Sequence, residues 1–345
     1  MNIETLLRET IARKASDLHL SSGTPAMIRV DGDLLPVSQE PLHSKDIEAA
    51  AASLMNESQR SRFEAQRECD FSFELAGVSR FRANVFWQAR GASVAFRPIA
   101  RDMPNLDQLG APKLFAELAN KPRGLVLVTG PTGSGKSTTL AAMVNWLNQT
   151  EAKHILTIED PIEFVHTPKR CLVQQREVGG HTLSFANALR SALREDPDVI
   201  LVGELRDLES IRLALTAAET GHLVLGTLHT SGAAKTIDRI IDVFPAEEKE
   251  LVRTMLSESI EAVISQVLCK RAEGKGRVAA YEIMLGSPAI RNLIREGKLA
   301  QVYSVMQTGS ASGMQTLDQS LSSLVQQGRI AKEEAASKAR YPTQL

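Results

Sequence analysis

Alternation of polar and apolar residues marks the N-terminal part of the chain. Over 70–74, 80–85 and 93–97, polar or small residues alternate with larger apolar ones. This period of two predicts half-buried strands of an antiparallel sheet. Helices are predicted over 2–16 and 44–66. The pattern therefore predicts a small α+β domain that ends near residue 98.

The hydrophobic pattern changes beyond residue 122. Four apolar, β-branched runs lie at 125–128, 155–158, 199–202 and 223–227, and segments of helical spacing separate them. Continuous apolar strands are covered on both faces, which predicts a parallel sheet with crossover helices. The fold class is therefore α/β. The last third, from about 245, is predicted to be mainly helical with one strand at 278–283.

Prolines separate these two parts. Pro98, Pro104, Pro112 and Pro122 punctuate a segment that has only short helical pieces, as interdomain connections do. The predicted organisation is an N-terminal domain over 1–98, a linker over 99–122 and a C-terminal domain over 123–345.

The amino-acid composition disfavours several classes of protein. Forty basic residues stand against 41 acidic ones, so the basic footprint of a dedicated nucleic-acid binder is missing and no nucleic-acid partner is expected. The three cysteines form no CxxC pair, which fits a reducing cytoplasm. The acidic first residues argue against a signal peptide, and no apolar run is long enough to predict a membrane span.

The strongest motif lies between the strand at 125–128 and a following helix. It matches GxxxxGK[ST] in the strand–loop–helix context that a phosphate-binding P-loop requires. Converging backbone N–H groups and the positive end of the helix bind phosphate. We predict that Lys136 reaches the β- and γ-phosphates of ATP and that Ser137 is a direct Mg²⁺ ligand. The predicted nucleotide-binding residues are Gly130, Pro131, Thr132, Gly133, Ser134, Gly135, Lys136, Ser137 and Thr138.

Hydrolysis also needs acids near the γ-phosphate, and two strand ends supply them. Glu159, Asp160 and Glu163 follow the strand at 155–158, and Glu204 follows the strand at 199–202. Ligands of open α/β sheets bind at the carboxyl ends of the strands. A Walker B strand usually ends in aspartate, but Gly203 stands there, so Glu204 is predicted to serve the metal's water shell, the attacking water or both. Glu163 is the second candidate, and the division of roles stays open.

Two histidines flank the strand at 223–227. His222 and His229 are seven residues apart, roughly 23 Å along an extended strand, which argues against a shared metal. Their place on a P-loop sheet indicates nucleotide sensing.

These motifs, in this order, resemble the secretion-ATPase superfamily that drives type II and type IV secretion and type IV pili. The likeness covers essentially the whole chain. The segment Ala289-Ile290-Arg291-Asn292-Leu293-Ile294-Arg295 matches the signature of the pilus-retraction branch, and the tetracysteine site of the assembly branch is missing. The resemblance implies a PAS-like N-terminal domain, a RecA-like ATPase core, and a motor that hydrolyses ATP to retract type IV pili in twitching motility.

The resemblance also implies an assembly. It predicts a cytoplasmic homohexamer, peripheral to the inner membrane at the pilus base, in which one N-terminal domain closes over the neighbouring subunit's nucleotide. The implied partner is the inner-membrane platform protein of the pilus, with a paralogous retraction ATPase as a further candidate. Arginines that could act across such an interface are Arg80, Arg82, Arg97 and Arg239.

Ser287 and Pro288 predict a helix start directly before the retraction signature. We expect this helix to couple ATP hydrolysis to pilus movement. Alanine at Arg291 and Arg295 is predicted to leave hexamers and basal ATPase activity largely intact but to abolish retraction.

Three alternatives remain open on sequence. The first is a pilus-assembly or accessory paralogue ATPase with the same chemistry. The second is a nucleotide-dependent interaction protein without turnover, which the intact Lys136, Ser137, Glu163 and Glu204 disfavour. The third is a DNA-translocating motor, which the net charge of −1 disfavours.

Overall fold

The computed structural model describes residues 2–30, 32–99, 103–274 and 276–344. The chain divides into two compact units, Met1–Asp102 and Met103–Leu345, called the N-terminal and C-terminal units below. Among the described residues, no helix combines the length and the apolar character that crossing a membrane requires.

The N-terminal unit is a six-stranded antiparallel sheet with helices packed on it. Its helices are α1 (Ile3–Ala12), α2 (Ser44–Leu54) and α3 (Glu57–Gln66). Its strands are β1 (Asp17–Ser21), β2 (Met27–Val30), β3 (Asp33–Pro36), β4 (Glu68–Leu75), β5 (Ser79–Gln88) and β6 (Gly91–Ile99), in the order β3-β2-β1-β6-β5-β4. The alternating residues of β5 place Phe81, Ala83 and Val85 in the core, which confirms the predicted α+β pattern.

The single helix predicted over 44–66 is wrong. Met55 is extended, and the Asn56 side chain accepts the backbone N–H of Gln59 while the Gln59 side chain accepts that of Asn56. This capping box starts a second helix, so α2 and α3 are separate.

The C-terminal unit is a seven-stranded sheet with helices on both faces, which confirms the predicted α/β class. Its helices are α4 (Leu114–Ala119), α5 (Lys136–Thr150), α6 (Phe185–Ala192), α7 (Leu208–Glu219), α8 (Ala233–Asp242), α9 (Lys249–Ser259), α10 (Pro288–Arg295), α11 (Val302–Thr308), α12 (Leu317–Gln326) and α13 (Lys332–Ala336). Its strands are β7 (Gly124–Thr129), β8 (His154–Glu159), β9 (Leu172–Glu177), β10 (Val199–Val202), β11 (Leu223–Leu228), β12 (Ile260–Lys270) and β13 (Arg277–Leu285).

The order of this sheet is β13-β12-β7-β11-β10-β8-β9, and every neighbouring pair is parallel except β12 with β13. Strand β7 shows the two-sided burial directly. Leu125 and Leu127 join the core under α6 to α10, whereas Val126 and Val128 join the core under α4 and α5. The carboxyl ends of β7, β8, β10 and β11 therefore meet at one edge, where the P-loop and the acids lie.

The segment predicted as a linker, 99–122, is partly built into the C-terminal unit. Leu106, Phe115 and Leu118 are buried in its core, because α4 packs against α5. Residues 100–102 of that segment lie outside the described part of the chain.

Candidate nucleotide site

The P-loop spans the gap between the end of β7 and the start of α5. Gly130 and Gly135 have φ angles of +142° and +87°, which other residues rarely adopt. At Gly130 a Cβ atom would also lie 2.3 Å from the backbone oxygen of Gln266. Both glycines are therefore required by conformation, and Gly130 also by close packing.

Lys136 is the first residue of α5 and is 8% exposed. Its ammonium donates to the carbonyl oxygens of Gly130 at 3.0 Å and Pro131 at 3.2 Å. Burial lowers the pKa of Lys136, and the negative charges of Glu204 and Glu163 counteract part of this effect. The positive charge is thus held over the loop that is built to bind phosphate.

Glu204 follows β10 and lies half-buried between two nitrogen donors. Its carboxylate is 2.6 Å from Nη2 of Arg206 and 3.1 Å from Nε2 of His229. Burial alone raises the pKa of this carboxyl group, but the hydrogen bonds and charges of Arg206 and His229 outweigh burial, so the pKa is lowered. Glu204 is therefore ionised at neutral pH. Its carboxylate can accept a proton, or a hydrogen bond from a metal-bound water.

His229 connects the lysine to the glutamate. Its Nδ1 lies 3.4 Å from Nζ of Lys136, and its Nε2 faces Glu204. The imidazole follows β11 directly and so occupies the carboxyl edge of the sheet. One side chain thus touches both groups predicted to act on ATP.

A cavity of about 230 Å³ opens beside these groups. Glu204, Arg206 and His229 line it together with Thr230 and Arg239. Arg239 on α8 therefore borders the same cavity as the predicted catalytic acid. Its assignment as a nucleotide-contacting arginine stays a prediction.

The acids that follow β8 differ in surroundings. Glu159 accepts hydrogen bonds from Thr157 Oγ1 at 2.7 Å and Gln175 Nε2 at 3.1 Å, and burial raises its pKa in spite of them. Asp160 and Glu163 are exposed. Glu159 is thus held by Thr157 on its own strand and by Gln175 on β9, which leaves Glu163 and Asp160 as the exposed acids of this cluster.

His222 lies at the other end of β11. Its Nδ1 contacts the backbone oxygen of Ala217 at 3.1 Å, and its carbonyl accepts the N–H of Gly124, the first residue of β7. This is the amino edge of the sheet, opposite the P-loop. Within one subunit His222 therefore does not share the nucleotide cleft with His229, and its predicted sensing role is corrected on this point.

Comparison with known proteins supplies the family. A family model described as "Type II/IV secretion system protein" matches residues 1–337. The chain belongs to the type II/IV secretion system protein family. It is 62% identical over 342 residues to the type IV pilus retraction ATPase PilT of Pseudomonas aeruginosa, covering 99% of each chain.

Two further relatives of this secretion system family agree. The chain is 59% identical over 340 residues to a twitching motility protein of Neisseria gonorrhoeae, covering 98% of this chain and 91% of that one. A crystal structure of the pilus retraction motor PilT with bound ADP is 49% identical and superposes with a TM-score of 0.93, covering 100% of this chain and 99% of that one. The fold inferred from the sequence resemblance is confirmed.

The remaining arginine candidates lie on the sheet of the N-terminal unit. Arg82 on β5 and Arg97 on β6 are directly opposed Cα partners, and Arg80 shares the face of Arg82. Arg97 contacts Asp17 at 2.8 Å, whereas Arg82 lies 3.7 Å from Asp70. The three arginines therefore lie on one face of this sheet, as the two-residue spacing of Arg80 and Arg82 predicts, and Arg97 pairs toward β1 whereas Arg82 pairs toward β4.

The retraction signature forms α10, and Ser287 caps it by accepting the N–H of Ile290. Ile290, Leu293 and Ile294 are buried, while Ala289, Asn292 and Arg295 are exposed. Arg291 is different. It donates to the carbonyls of Gly286 and Ser257 and pairs with Glu261 at 2.7 Å.

This contact set changes the prediction that Arg291 and Arg295 can be replaced together without harm to the rest of the protein. Arg291 caps the carboxyl end of α9 and ties it to β12, so its loss disturbs the fold itself. Of the two arginines, Arg295 is the exposed one.

Sequence reasoning also missed two polar residues of the site. Arg206 holds Glu204, and Gln266 binds the P-loop from β12, where its amide nitrogen lies 2.5 Å from the carbonyl of Ser134. Arg206 lies two residues after the acid and could have been weighed as its partner. Gln266 gave no local signal, because its role depends on strand pairing.

Proposed function

We propose that this chain is the ATPase subunit of a homohexameric motor that hydrolyses ATP to retract type IV pili. The observation that carries the proposal is the 62% identity to the P. aeruginosa retraction ATPase over 99% of each chain. The cleft adds the chemistry, because Lys136, Glu204 and His229 meet at the carboxyl edge of one sheet.

In this proposal each residue has a separate task. The backbone of 130–135 and the ammonium of Lys136 hold the phosphates, which places the γ-phosphorus beside Glu204. Glu204, kept ionised, orients the attacking water and accepts its proton. His229 lies between the two and reports whether Lys136 is engaged by phosphate.

The donor chemistry fits Mg²⁺ brought in by the nucleotide. No group of three or more His, Cys, Asp or Glu in the described chain could hold a metal ion by itself, and Mg²⁺ commonly takes one or two protein ligands with phosphates and waters. Ser137 would bind it directly, and Glu204 through water. When bound, the ion neutralises charge on the phosphates.

The assembly is part of the proposal. Arg80, Arg82 and Arg97 of one subunit reach the nucleotide of the next, where they stabilise charge on the transferred phosphoryl group. The hexamer lies at the cytoplasmic face of the inner membrane and binds the pilus platform protein, with a paralogous retraction ATPase as a further partner.

Activity of purified protein tests the enzymatic half. Glu204→Gln is expected to keep nucleotide affinity close to the wild type and to lower phosphate release at least about 100-fold, since it removes the base but keeps the size. Lys136→Ala is expected to lose affinity. Wild-type phosphate release by Glu204→Gln contradicts the catalytic assignment, and no release by the unaltered chain favours an interaction protein without turnover.

Cells that lack the protein test the direction of movement. A retraction motor leaves surplus surface pili that do not shorten, whereas an assembly motor leaves bald cells. An accessory paralogue leaves retraction partly active. DNA-stimulated ATPase activity would instead support the DNA-translocating motor.

A further inference from the structure

Gln266 lies on β12 where this strand passes the P-loop. Its neighbour Ser265 is the Cα partner of Thr129, the last residue of β7, so Gln266 is level with the first residue of the loop. The side chain is 1% exposed. A buried amide at this position has to be hydrogen-bonded.

The two ends of the Gln266 amide bind two different parts of the phosphate site. Nε2 donates to the carbonyl of Ser134 at 2.5 Å. Oε1 accepts from Oγ1 of Thr139, which lies in the first turn of α5, at 2.8 Å. Because donor and acceptor are both used, the orientation of the amide is fixed, and one side chain joins the loop to the helix.

The contact with Ser134 determines the direction of a phosphate-binding group. In a planar trans peptide, the carbonyl of one residue and the N–H of the next point in opposite directions. Holding the Ser134 carbonyl against β12 therefore directs the N–H of Gly135 away from that strand. Gly135 leaves room for this contact, because a Cβ there would lie 3.1 Å from Nε2 of Gln266.

We propose that Gln266 is a positioning residue for the nucleotide phosphates, which holds the P-loop in its phosphate-binding form through Ser134 and Thr139 without touching the nucleotide. The inference rests on the proposed function only in that this P-loop binds a nucleotide. It assigns to β12 a part in the site that the P-loop motif does not contain.

Gln266→Glu is the sharpest test, because it exchanges one donor group for an acceptor at constant size. An ionised carboxylate has no proton for the Ser134 carbonyl, whereas a protonated one restores the donor. Burial raises the pKa of such a carboxyl group. We therefore expect the dissociation constant for a fluorescent ADP analogue to rise about tenfold at pH 8.5 and to return towards the wild-type value at pH 6.

Neighbouring titratable groups are controlled in the same experiment. Tyr281, the Cα partner of Gln266 on β13, has its pKa raised to about 12 by burial and does not titrate in this range. Lys136, next to Gly135, is present in the wild-type chain, whose affinity is measured at each pH. Recovery at pH 6 that exceeds any wild-type change is the expected result.

Two more variants separate positioning from general loosening. Thr139→Val removes the hydroxyl that binds Oε1 of Gln266 and should weaken nucleotide binding several-fold. This variant tests the proposal even where Gln266→Glu does not fold. Ser257→Ala is the matched control: its buried hydroxyl donates to the carbonyl of Thr254 at 2.8 Å within α9, so one buried hydrogen bond is lost away from the loop. Its affinity should equal that of the wild type.

The proposal is overturned if folded Gln266→Glu binds like the wild type at pH 8.5, if its loss is the same at every pH, or if folded Thr139→Val binds normally. Lys136→Ala is measured beside them. If Lys136→Ala also binds like the wild type, the nucleotide function of the loop is wrong, which is a different failure from that of Gln266.

Discussion

At the scale of single residues, the charge state of Glu204 depends on two neighbours. Arg206 and His229 lower its pKa against the effect of burial. A base that activates water has to be ionised, so activity falls when pH drops below its pKa. With Glu204 as the proposed base, we expect Arg206 to set how acidic the medium can become before turnover stops.

Arg206→Ala tests this dependence. Loss of the guanidinium should raise the pKa of Glu204, so the acid limb of the kcat profile should move to higher pH while the rate at pH 8.5 changes less. Arg190→Ala, which removes the exposed ion pair with Glu209 on α6 and α7, is the control and should leave the limb in place. An unchanged or more acidic limb for Arg206→Ala contradicts the assignment.

His166 is a second residue with a shifted titration. It is buried, its Nδ1 has no hydrogen-bond partner in the described chain, and burial lowers its pKa from 6.5 to about 4. Between pH 6.5 and about 4, the imidazole of His166 therefore binds a proton in the unfolded state but not in the folded state. The contribution of His166 to the free energy of unfolding is fully present above pH 6.5 and is lost as the pH falls towards 4.

His166→Leu removes that titration. Between pH 7.5 and 5, the wild-type chain should lose about 2 kcal/mol more unfolding free energy than the variant, since one pKa unit corresponds to roughly 1.4 kcal/mol. Urea unfolding of both proteins at the two pH values measures the difference, and acid effects of carboxylates cancel. Equal losses would show that His166 is not kept neutral by the fold.

At the scale of elements, the hydrophobic pattern of the sequence correctly predicted four buried strands of the C-terminal sheet. The buried strands β7, β8, β10 and β11 are continuous apolar runs, and each was expected where it lies. Strand β12 was missed, because Ser265 and Gln266 interrupt its apolar run and short apolar segments do not distinguish strand from helix. Ser265 pairs with Thr129 of β7, which is distant in sequence.

The same limit explains the incomplete prediction of the site. Lys136, Glu204 and His229 sit at motif or strand-end positions, so local patterns found them. Gln266 acts through pairing with β7, and His222 differs from His229 only in which end of β11 it occupies. The pairing of Gln266 depends on sheet order, which the pattern along the chain does not contain. The position of His222 at the amino end of β11 follows from chain order alone, and ligands bind at the carboxyl ends of such strands.

Helix α10 allows a prediction at this scale. Arg291 is 23% exposed and binds the end of α9 and Glu261, whereas Arg295 is exposed. Arg291→Ala should lower the unfolding free energy by about 2 kcal/mol, the order of a lost hydrogen bond to a charged group. Arg295→Ala should leave stability and ATPase activity unchanged and abolish pilus retraction.

Thermal or urea unfolding, phosphate release and pilus shortening in cells separate the two variants. A stable Arg291→Ala protein contradicts the structural role of that residue. Loss of ATPase activity by folded Arg295→Ala places α10 in the catalytic cycle and removes the coupling hypothesis.

At the scale of the whole molecule, the proposed hexamer assigns a role to the sheet face of the N-terminal unit that carries Arg80, Arg82 and Arg97. Arg97 is 69% exposed and Arg82 is 46% exposed, and both lie on the sheet face of Arg80. Head-to-tail contacts between identical subunits form a ring where the rotation between neighbours closes. In such a ring every arginine face can meet the P-loop of the next subunit.

Mixing two inactive subunits tests this arrangement. One carries Lys136→Ala with the arginines intact, and the other has alanine at Arg80, Arg82 and Arg97 with the P-loop intact. If arginines act on the neighbouring subunit, an interface is competent where a Lys136→Ala subunit presents its arginines to the intact P-loop beside it. At equal mixing about one quarter of the interfaces of a head-to-tail ring meet this condition. Phosphate release should therefore recover to roughly that share of wild-type activity, with a maximum near equal proportions.

Mass spectrometry of the rings confirms that subunits have mixed, and unfolding of each variant confirms its fold. If mixed rings release no phosphate at any ratio, the arginines act within their own chain or not on the nucleotide, and composite sites are wrong.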